Sequence, residues 1–357
     1  MSLWIRKKTL RIRKLNGSAV RFKGKLLLSY YEKRLLNAIK RFEIITMVAR
    51  MNVIDLFCGM GGLSYGFSRE GFQVMGFDKS EHALLAFNFN RIGRGIRKDL
   101  LTSEVEFEEG DEDVIIIGGP PCEPWSRLNL RKRCFRHPLY NCIIHFFKTI
   151  FRINPVIFIL ENVPDLLKDS TVCKLLERAG SGFSLAHRVI CYNHYGAATS
   201  RKRLFIIGIR HGYGLSAEDI FECIPRGEPR TVRDAIWDLR HVNWNERINH
   251  VWPSARTVRK YMRYYKSGKY GWYILEWDKP SPSFGNIAKT YILHPDSFNG
   301  GQTRPISVRE ALRIMGFPDS YRLPPEIPLN VKYEMIADAV SPVFSLKLAR
   351  TVKKLLL

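Results

Sequence analysis

Short apolar runs alternate with stretches of helical periodicity between residues 51 and 210, and this alternation dominates the chain. Residues 53–57 read as a strand that stops at Gly59, Gly61 and Gly62, with Ser64–Arg69 opening a helix behind the glycines. Residues 74–77 form a second predicted strand closing on Asp78, followed by a helix over 82–90. Residues 114–117 close on a Gly-Gly-Pro-Pro turn, and 157–160 and 204–209 repeat the apolar pattern. Strands separated by helices predict an α/β fold: a doubly wound, mostly parallel sheet of Rossmann-like type, whose ligands sit at the carboxyl ends of its strands. Texture divides the chain into a basic extension (1–50), a catalytic, ligand-binding domain (51–210), a Trp-rich and turn-rich smaller domain (211–303) and a segment returning to the first domain (304–357).

Composition narrows the function. Hydrophobic residues make up 45% and charged residues 25%, the balance of a folded globular chain. The longest apolar runs fall far short of the roughly 18 residues that span a bilayer, so no membrane partner is expected. A net charge of +23 points to a polyanion. Residues 1–50 carry 14 Lys or Arg against 2 acids, so half of that excess sits in the extension, and basicity alone is weak evidence for nucleic acid. The extension reads as a start placed upstream of Met47 or Met51, as a DNA-contacting arm, or, less well because serines are few, as a targeting segment. Seven cysteines with no C-x-x-C pair offer neither a disulfide framework nor a zinc site, which implies a reducing cytoplasm and no metal.

Two strand ends carry candidate chemistry. The glycine turn after residues 53–57 lets backbone approach a nucleotide-like ligand, and Asp78, about twenty residues on, suits the two hydroxyls of a ribose; a purely structural turn fits the same glycines. Gly118-Gly-Pro-Pro-Cys-Glu-Pro-Trp-Ser126 is sharper, because it sets Cys122 in a proline-stiffened loop directly after a buried strand. Glu161 ends the strand 157–160, and Arg201, Lys202 and Arg203 precede the strand 204–209. Alone, that triplet also fits a solvated charge run.

Together these motifs resemble the cytosine C5-methyltransferases of prokaryotic restriction-modification systems, in the family's order from Asp55 to near the C-terminus. The family's Pro-Cys-Gln-Pro-Phe-Ser stands here as Pro121-Cys-Glu-Pro-Trp-Ser126, with Glu123 and Trp125 as departures. The resemblance implies a nucleophilic Cys122, a Glu161 that meets N3 of the base, an Arg203 that meets O2 and orients Glu161, and an Arg201 nearer the phosphates or the catalytic loop. Asn162 would help hold the cysteine loop, and Thr199 replaces a usual glutamine. It further implies S-adenosylmethionine as cofactor, with S-adenosylhomocysteine as product, held by Phe57, Gly59, Gly61, Asp78, Asp99, Pro120 and Asp338. Asp99 lies in the short string Lys-Asp-Leu, which a surface loop also explains, and Asp338 stands with Ala337 where Gly-Asn is usual.

The expected reaction is methyl transfer to C5 of a cytosine flipped out of double-stranded DNA, by a monomer, through a covalent adduct of Cys122 with C6. Transfer RNA as substrate and a non-catalytic DNA-binding relative are the alternatives. Residues 211–303 would read the target. Within them the run from Arg256 to Tyr270 interleaves cations with aromatics, which suits phosphate anchoring and base stacking, or a basic helix face. The loop 127–136 with Arg131, Lys132 and Arg133 would close over the base, and Arg304 to Asp319 would organise the recognition region.

Overall fold

Apolar runs put four short strands into one parallel array that a fifth, more polar strand extends at its edge, and the computed structural model shows that array for the chain, describing residues 51–105, 114–126, 134–256, 258–269 and 271–356. The extension 1–50 and the cations Arg131, Lys132 and Arg133 lie outside the described residues. Strands β1 (Asn52–Leu56), β2 (Gln73–Asp78), β3 (Arg94–Arg97), β4 (Ile115–Gly118), β5 (Ile157–Asn162), β6 (Phe183–Cys191) and β7 (Lys202–Arg210) form one sheet in the order β3-β2-β1-β4-β5-β7-β6. Every residue of β4 and β5 is buried, as a central parallel strand requires.

β1 to β5 pair in parallel, whereas β7 is antiparallel to both β5 and β6, so β7 alone runs against the other six. This reversal matters for the chemistry. It brings the amino end of β7 to the same sheet edge as the carboxyl ends of β4 and β5, and pairs Asn162 with Leu204 and Glu161 with Phe205. The spacing alone predicts 204–209 as one more repeat of the strand-and-helix pattern; instead it is half of an antiparallel pair with β6.

Helices cover both faces. On one side α1 (Ser64–Arg69), α2 (Glu81–Phe89), α5 (Ala217–Cys223) and α8 (Pro342–Leu356) bury Phe67, Phe87, Phe221 and Phe344 against the sheet. On the other, α3 (Asn141–Ile153) and α4 (Ser170–Gly180) enclose Phe146, Phe147 and Phe158. α1 and α8 touch through Gly66, where a Cβ would lie 2.2 Å from the Ser345 carbonyl carbon, and the Gly66 amide donates to Ser345 Oγ at 2.8 Å. The C-terminal helix is thereby built into the domain that holds β1.

Between residues 211 and 303 the described chain forms short helical turns and isolated bridges. It is fastened to α6 (Val308–Met315) by buried polar contacts. Arg304 grips Glu310 through two bonds of 2.7 Å, and Ser307 caps the helix and meets His250 Nδ1 at 2.9 Å. The buried Arg309 donates to the carbonyls of Ile248 and Tyr321, and Arg313 reaches Asp238 and Asp319. α7 (Leu329–Asp338) then returns the chain to the carboxyl edge of the sheet.

Candidate active site

The carboxyl ends of β1 and β2 create the first wall. Phe57 leaves β1 with φ of 64°, a left-handed conformation that costs a bulky residue about 1–2 kcal/mol. It is a wall residue of a cavity of about 420 Å³. Gly59, at φ of 53°, donates its amide to Asp78 Oδ2 at 2.9 Å, while Ser80 donates to Oδ1 at 2.8 Å. Asp78 is therefore fixed at the cavity wall by two backbone donors, with lone pairs left for a ligand. Asp99 and Pro120 line the same space. Gly61 does not: its φ is 86°, and a Cβ there would meet Ile92 Cδ1 at 2.4 Å, so its part is to let the turn pack on α2 and its neighbours.

Asp55 is a wall residue that spacing did not single out as a ligand. It is buried, accepts a hydrogen bond from Ser64, and leaves Oδ1 without a partner; burial pushes its carboxyl up to about 7. A strand-end carboxylate in an apolar run was the available signal.

The loop after β4 supplies the second wall. The Cys122 carbonyl accepts the amides of Trp125 and Ser126, both at 3.0 Å, which closes a tight turn. Asn162 Nδ2 donates to the Pro120 carbonyl at 2.9 Å, so Asn162 does hold this loop. Trp125 is buried, and its Nε1 donates to Asp169 Oδ2 at 3.0 Å; Asp169 also accepts the Tyr140 hydroxyl at 2.9 Å and caps α4. The larger residue at 125 thus adds a tether that phenylalanine lacks.

The reversed strand completes the site. Glu161 is buried at the end of β5, and Arg203 Nε lies 3.2 Å from its Oε1. Burial raises the Glu161 carboxyl above its ordinary value, with Arg203 and Arg201 opposing the shift. Arg201 is buried with its Nε unpartnered, and burial plus the neighbouring Arg203 bring its guanidinium down to about 10. Thr199 is also buried, its hydroxyl accepting the Arg201 amide. The Cys122 thiol is hemmed in by protein and pushed up to about 11 by burial, with Arg203 pulling it back and Asp338, Glu123 and Glu161 adding to the rise.

Two cavities meet at this point. The 420 Å³ space and an open cleft of about 1120 Å³ share Cys122, Glu123, Arg201, Arg203, Glu334 and Asp338. Asp338 keeps water-accessible surface, but that surface faces these cavities, and the enclosing protein raises its carboxyl to about 6. Of the expected site residues only Gly61 stands behind the walls.

The family described as C-5 cytosine-specific DNA methylase matches residues 51–354. The chain belongs to that family. As a C-5 cytosine-specific DNA methylase it transfers a methyl group to C5 of cytosine in DNA, in a reaction dependent on S-adenosylmethionine. It is 26% identical to the Type II methyltransferase M.FnuDI of Fusobacterium nucleatum, over 86% of this chain and 95% of that one. It is 28% identical to the Type II methyltransferase M.MthTI of Methanothermobacter thermautotrophicus, over 85% and 97%. Among solved structures the fold resembles the Entamoeba histolytica methyltransferase EhMeth, with a TM-score of 0.66 and 16% identity over 85% of this chain and 97% of that one. It also resembles the S. pombe Dnmt2 methyltransferase, with a TM-score of 0.64 and 17% identity over 86% and 99%.

The methylase's aromatic run between Arg256 and Lys269 packs in part on itself. Tyr261, Tyr264, Tyr265 and Tyr291 pack around Trp272 in tilted or edge-on contacts with ring centroids 4.6 to 6.1 Å away, so these rings are partly engaged with one another. Arg256, Arg259, Lys260, Arg263, Lys266 and Lys269 are exposed, and of these Arg263 and Lys269 lie over the Tyr264 ring.

Proposed function

We propose that this methylase adds Cys122 to C6 of a cytosine rotated out of duplex DNA, using Glu161 and Arg203 at the Watson–Crick and O2 edges of the base. The observation that carries the reading is the junction of two cavities at Cys122, with Glu161 and Arg203 paired beside it. One cavity suits the cofactor and the open cleft suits the base. The smaller cavity lies within the range of about 300–1,000 Å³ usual for such ligands and offers strand-end carboxylates, the Phe57 ring and an unsatisfied Asp55 oxygen to a nucleoside that bears an amino acid. Phe57 would stack on adenine, Asp78 would take the ribose hydroxyls and Asp99 the adenine amino group, with Asp338 toward the methionine end. S-adenosylmethionine bound there supplies an electrophilic methyl carbon on a sulfonium.

Each protein group then has a defined task. C5 of cytosine is too weak a nucleophile alone, so the Cys122 thiolate forms a bond to C6 and the ring's electrons move toward C5 and N3. Glu161 holds a proton at N3, and the Arg203 guanidinium stabilises charge at O2 while fixing the Glu161 carboxyl. The Asn162 and Trp125 tethers keep the nucleophile in place against the base. After transfer, a base or water takes the C5 proton, and the thiolate leaves as the C5–C6 double bond re-forms.

The segment 211–303 serves in this reading as the target-recognition domain, with its exposed cations on DNA phosphates, and 304–357 rejoins the catalytic domain. Seven free cysteines suit a reducing cytoplasm. Bisulfite sequencing of DNA from cells expressing the protein tests the function: protected cytosines confined to one short sequence are expected. Unprotected DNA together with methylated transfer RNA would overturn it.

A further inference from the structure

The smaller cavity runs against the charge of the protein around it. The chain carries +23, yet among the described residues seven carboxylates line this cavity against four cations. Two of the seven, Glu123 and Asp338, stand where the family pattern has neutral amides. They border the same space from different elements, Glu123 on the Cys122 loop and Asp338 at the end of α7. A third, Asp55, is buried in the wall with Oδ1 unpartnered.

Crowded carboxylates in a partly dry cavity repel one another and lose hydration, so each favours any ligand that brings positive charge. The groups facing Asp338 are Glu334 on its own helix, Glu123 from the cysteine loop, and Arg201 and Arg203 from the β7 side. Those facing Asp55 are Asp78 and Glu161, with Ser64 as hydrogen-bond donor. Burial is the main cause that raises Asp338 to about 6 and Asp55 to about 7; the neighbouring carboxylates add to the rise, while Arg201 and Arg203 oppose it at Asp338 and Ser64 opposes it at Asp55. The two candidate ligands differ in charge. S-adenosylmethionine has a sulfonium, an ammonium and a carboxylate and is a net cation, whereas the thioether left after transfer has no net charge.

We infer that Glu123, Asp338 and Asp55 make this cavity select its ligand by charge, favouring cationic S-adenosylmethionine over the neutral product S-adenosylhomocysteine. The inference rests on the reading of this cavity as the cofactor site. Loss of the methyl cation then itself weakens product binding.

Calorimetric titration of the full chain tests this with three probes: S-adenosylmethionine, S-adenosylhomocysteine, and sinefungin, which carries an ammonium in place of the sulfonium and has no methyl group to give. At pH 8 the two cations should bind about tenfold or more tighter than the neutral thioether. Glu123→Gln and Asp338→Asn should each weaken both cations by about tenfold, the effect of one charge removed in a partly screened cavity, and weaken S-adenosylhomocysteine, which lacks the sulfonium charge, by several-fold less. Its retained binding also reports that each variant is folded. Lowering the pH to about 5.5 should weaken the cations and spare the thioether, because Asp338 and Asp55 then take up protons. Equal affinity for all three probes in the wild type, or equal loss of all three in the variants, would overturn the selection by charge. Failure of the wild type to bind any of them would overturn the cofactor-site reading beneath it.

Discussion

Asp169→Ala probes how firmly the nucleophile's loop is tied to the sheet. In the wild type one oxygen of Asp169 accepts Trp125 Nε1 at 3.0 Å, and the other accepts the Tyr140 hydroxyl at 2.9 Å and the amides of Thr171 and Val172 at the start of α4. Alanine removes the helix cap, worth about 1 kcal/mol. It also takes the Asp169 acceptor from a buried indole N–H and from a phenol hydroxyl, each loss costing about 1–3 kcal/mol. Because these bonds share one acceptor their losses do not add fully, and a destabilisation of about 3–5 kcal/mol is expected. Urea unfolding followed by tryptophan fluorescence should show that loss with an unchanged denaturant slope. Trp125→Phe, which keeps the ring's apolar bulk and removes only the donor, should cost about 1–2 kcal/mol and slow methyl transfer, since the indole bond to Asp169 anchors the turn whose backbone amides hold the Cys122 carbonyl. A loss below about 1 kcal/mol in Asp169→Ala would refute the tether, since even the cap alone should cost that much.

Three other outcomes follow from the site's charges and surface. Cys122 must act as thiolate and Glu161 as acid, and between the raised Glu161 value and about 11 for Cys122 one fraction rises with pH as the other falls. Single-turnover rates should therefore be nearly flat with pH in the wild type, while Glu161→Gln should be slower and should accelerate close to tenfold per pH unit; a flat variant would remove Glu161 as the acid. Asp55 has its folded value raised from 3.8 to about 7, so its ionisation opposes folding progressively as pH rises through that window. Asp55→Asn should then stabilise the ligand-free protein at pH 8 by up to about 4 kcal/mol and change little near pH 3.5, and equal effects at both values would contradict the assignment. Arg259→Ala combined with Lys266→Ala should lower the slope of log affinity for DNA against log salt by up to about 1.8, and an unchanged slope would take this face off the phosphates.

The sheet's first half was legible because its strands declare themselves. Apolar runs at 53–57, 74–77 and 114–117 became β1, β2 and β4, and Ser64–Arg69 became α1 with the same bounds. β3 escaped notice because Arg94–Arg97 contains one apolar residue and gains its ladder only by lying beside β2. β6 was missed because Phe183–Cys191 is buried at only three positions, two of them seven residues apart. Without β6 the direction of β7 could not be read, since an apolar run carries no sign. The site was visible one residue at a time through Cys122, Glu161 and Arg203, but their meeting depends on that reversed strand. Asp55 was hidden inside a strand-like run, and the exclusion of Gly61 from the wall is a matter of φ and of packing by Ile92 and Phe87.

The most direct test of the account uses duplex DNA containing 5-fluorocytosine, whose fluorine cannot leave as a proton does and so arrests the reaction after methyl transfer. Incubation with the protein and S-adenosylmethionine should give a denaturation-resistant protein–DNA band whose tryptic peptide carries the nucleotide on Cys122, and Cys122→Ala should give none. A band that survives in Cys122→Ala, or its absence from a wild type that methylates ordinary DNA, would contradict attack by Cys122 on C6.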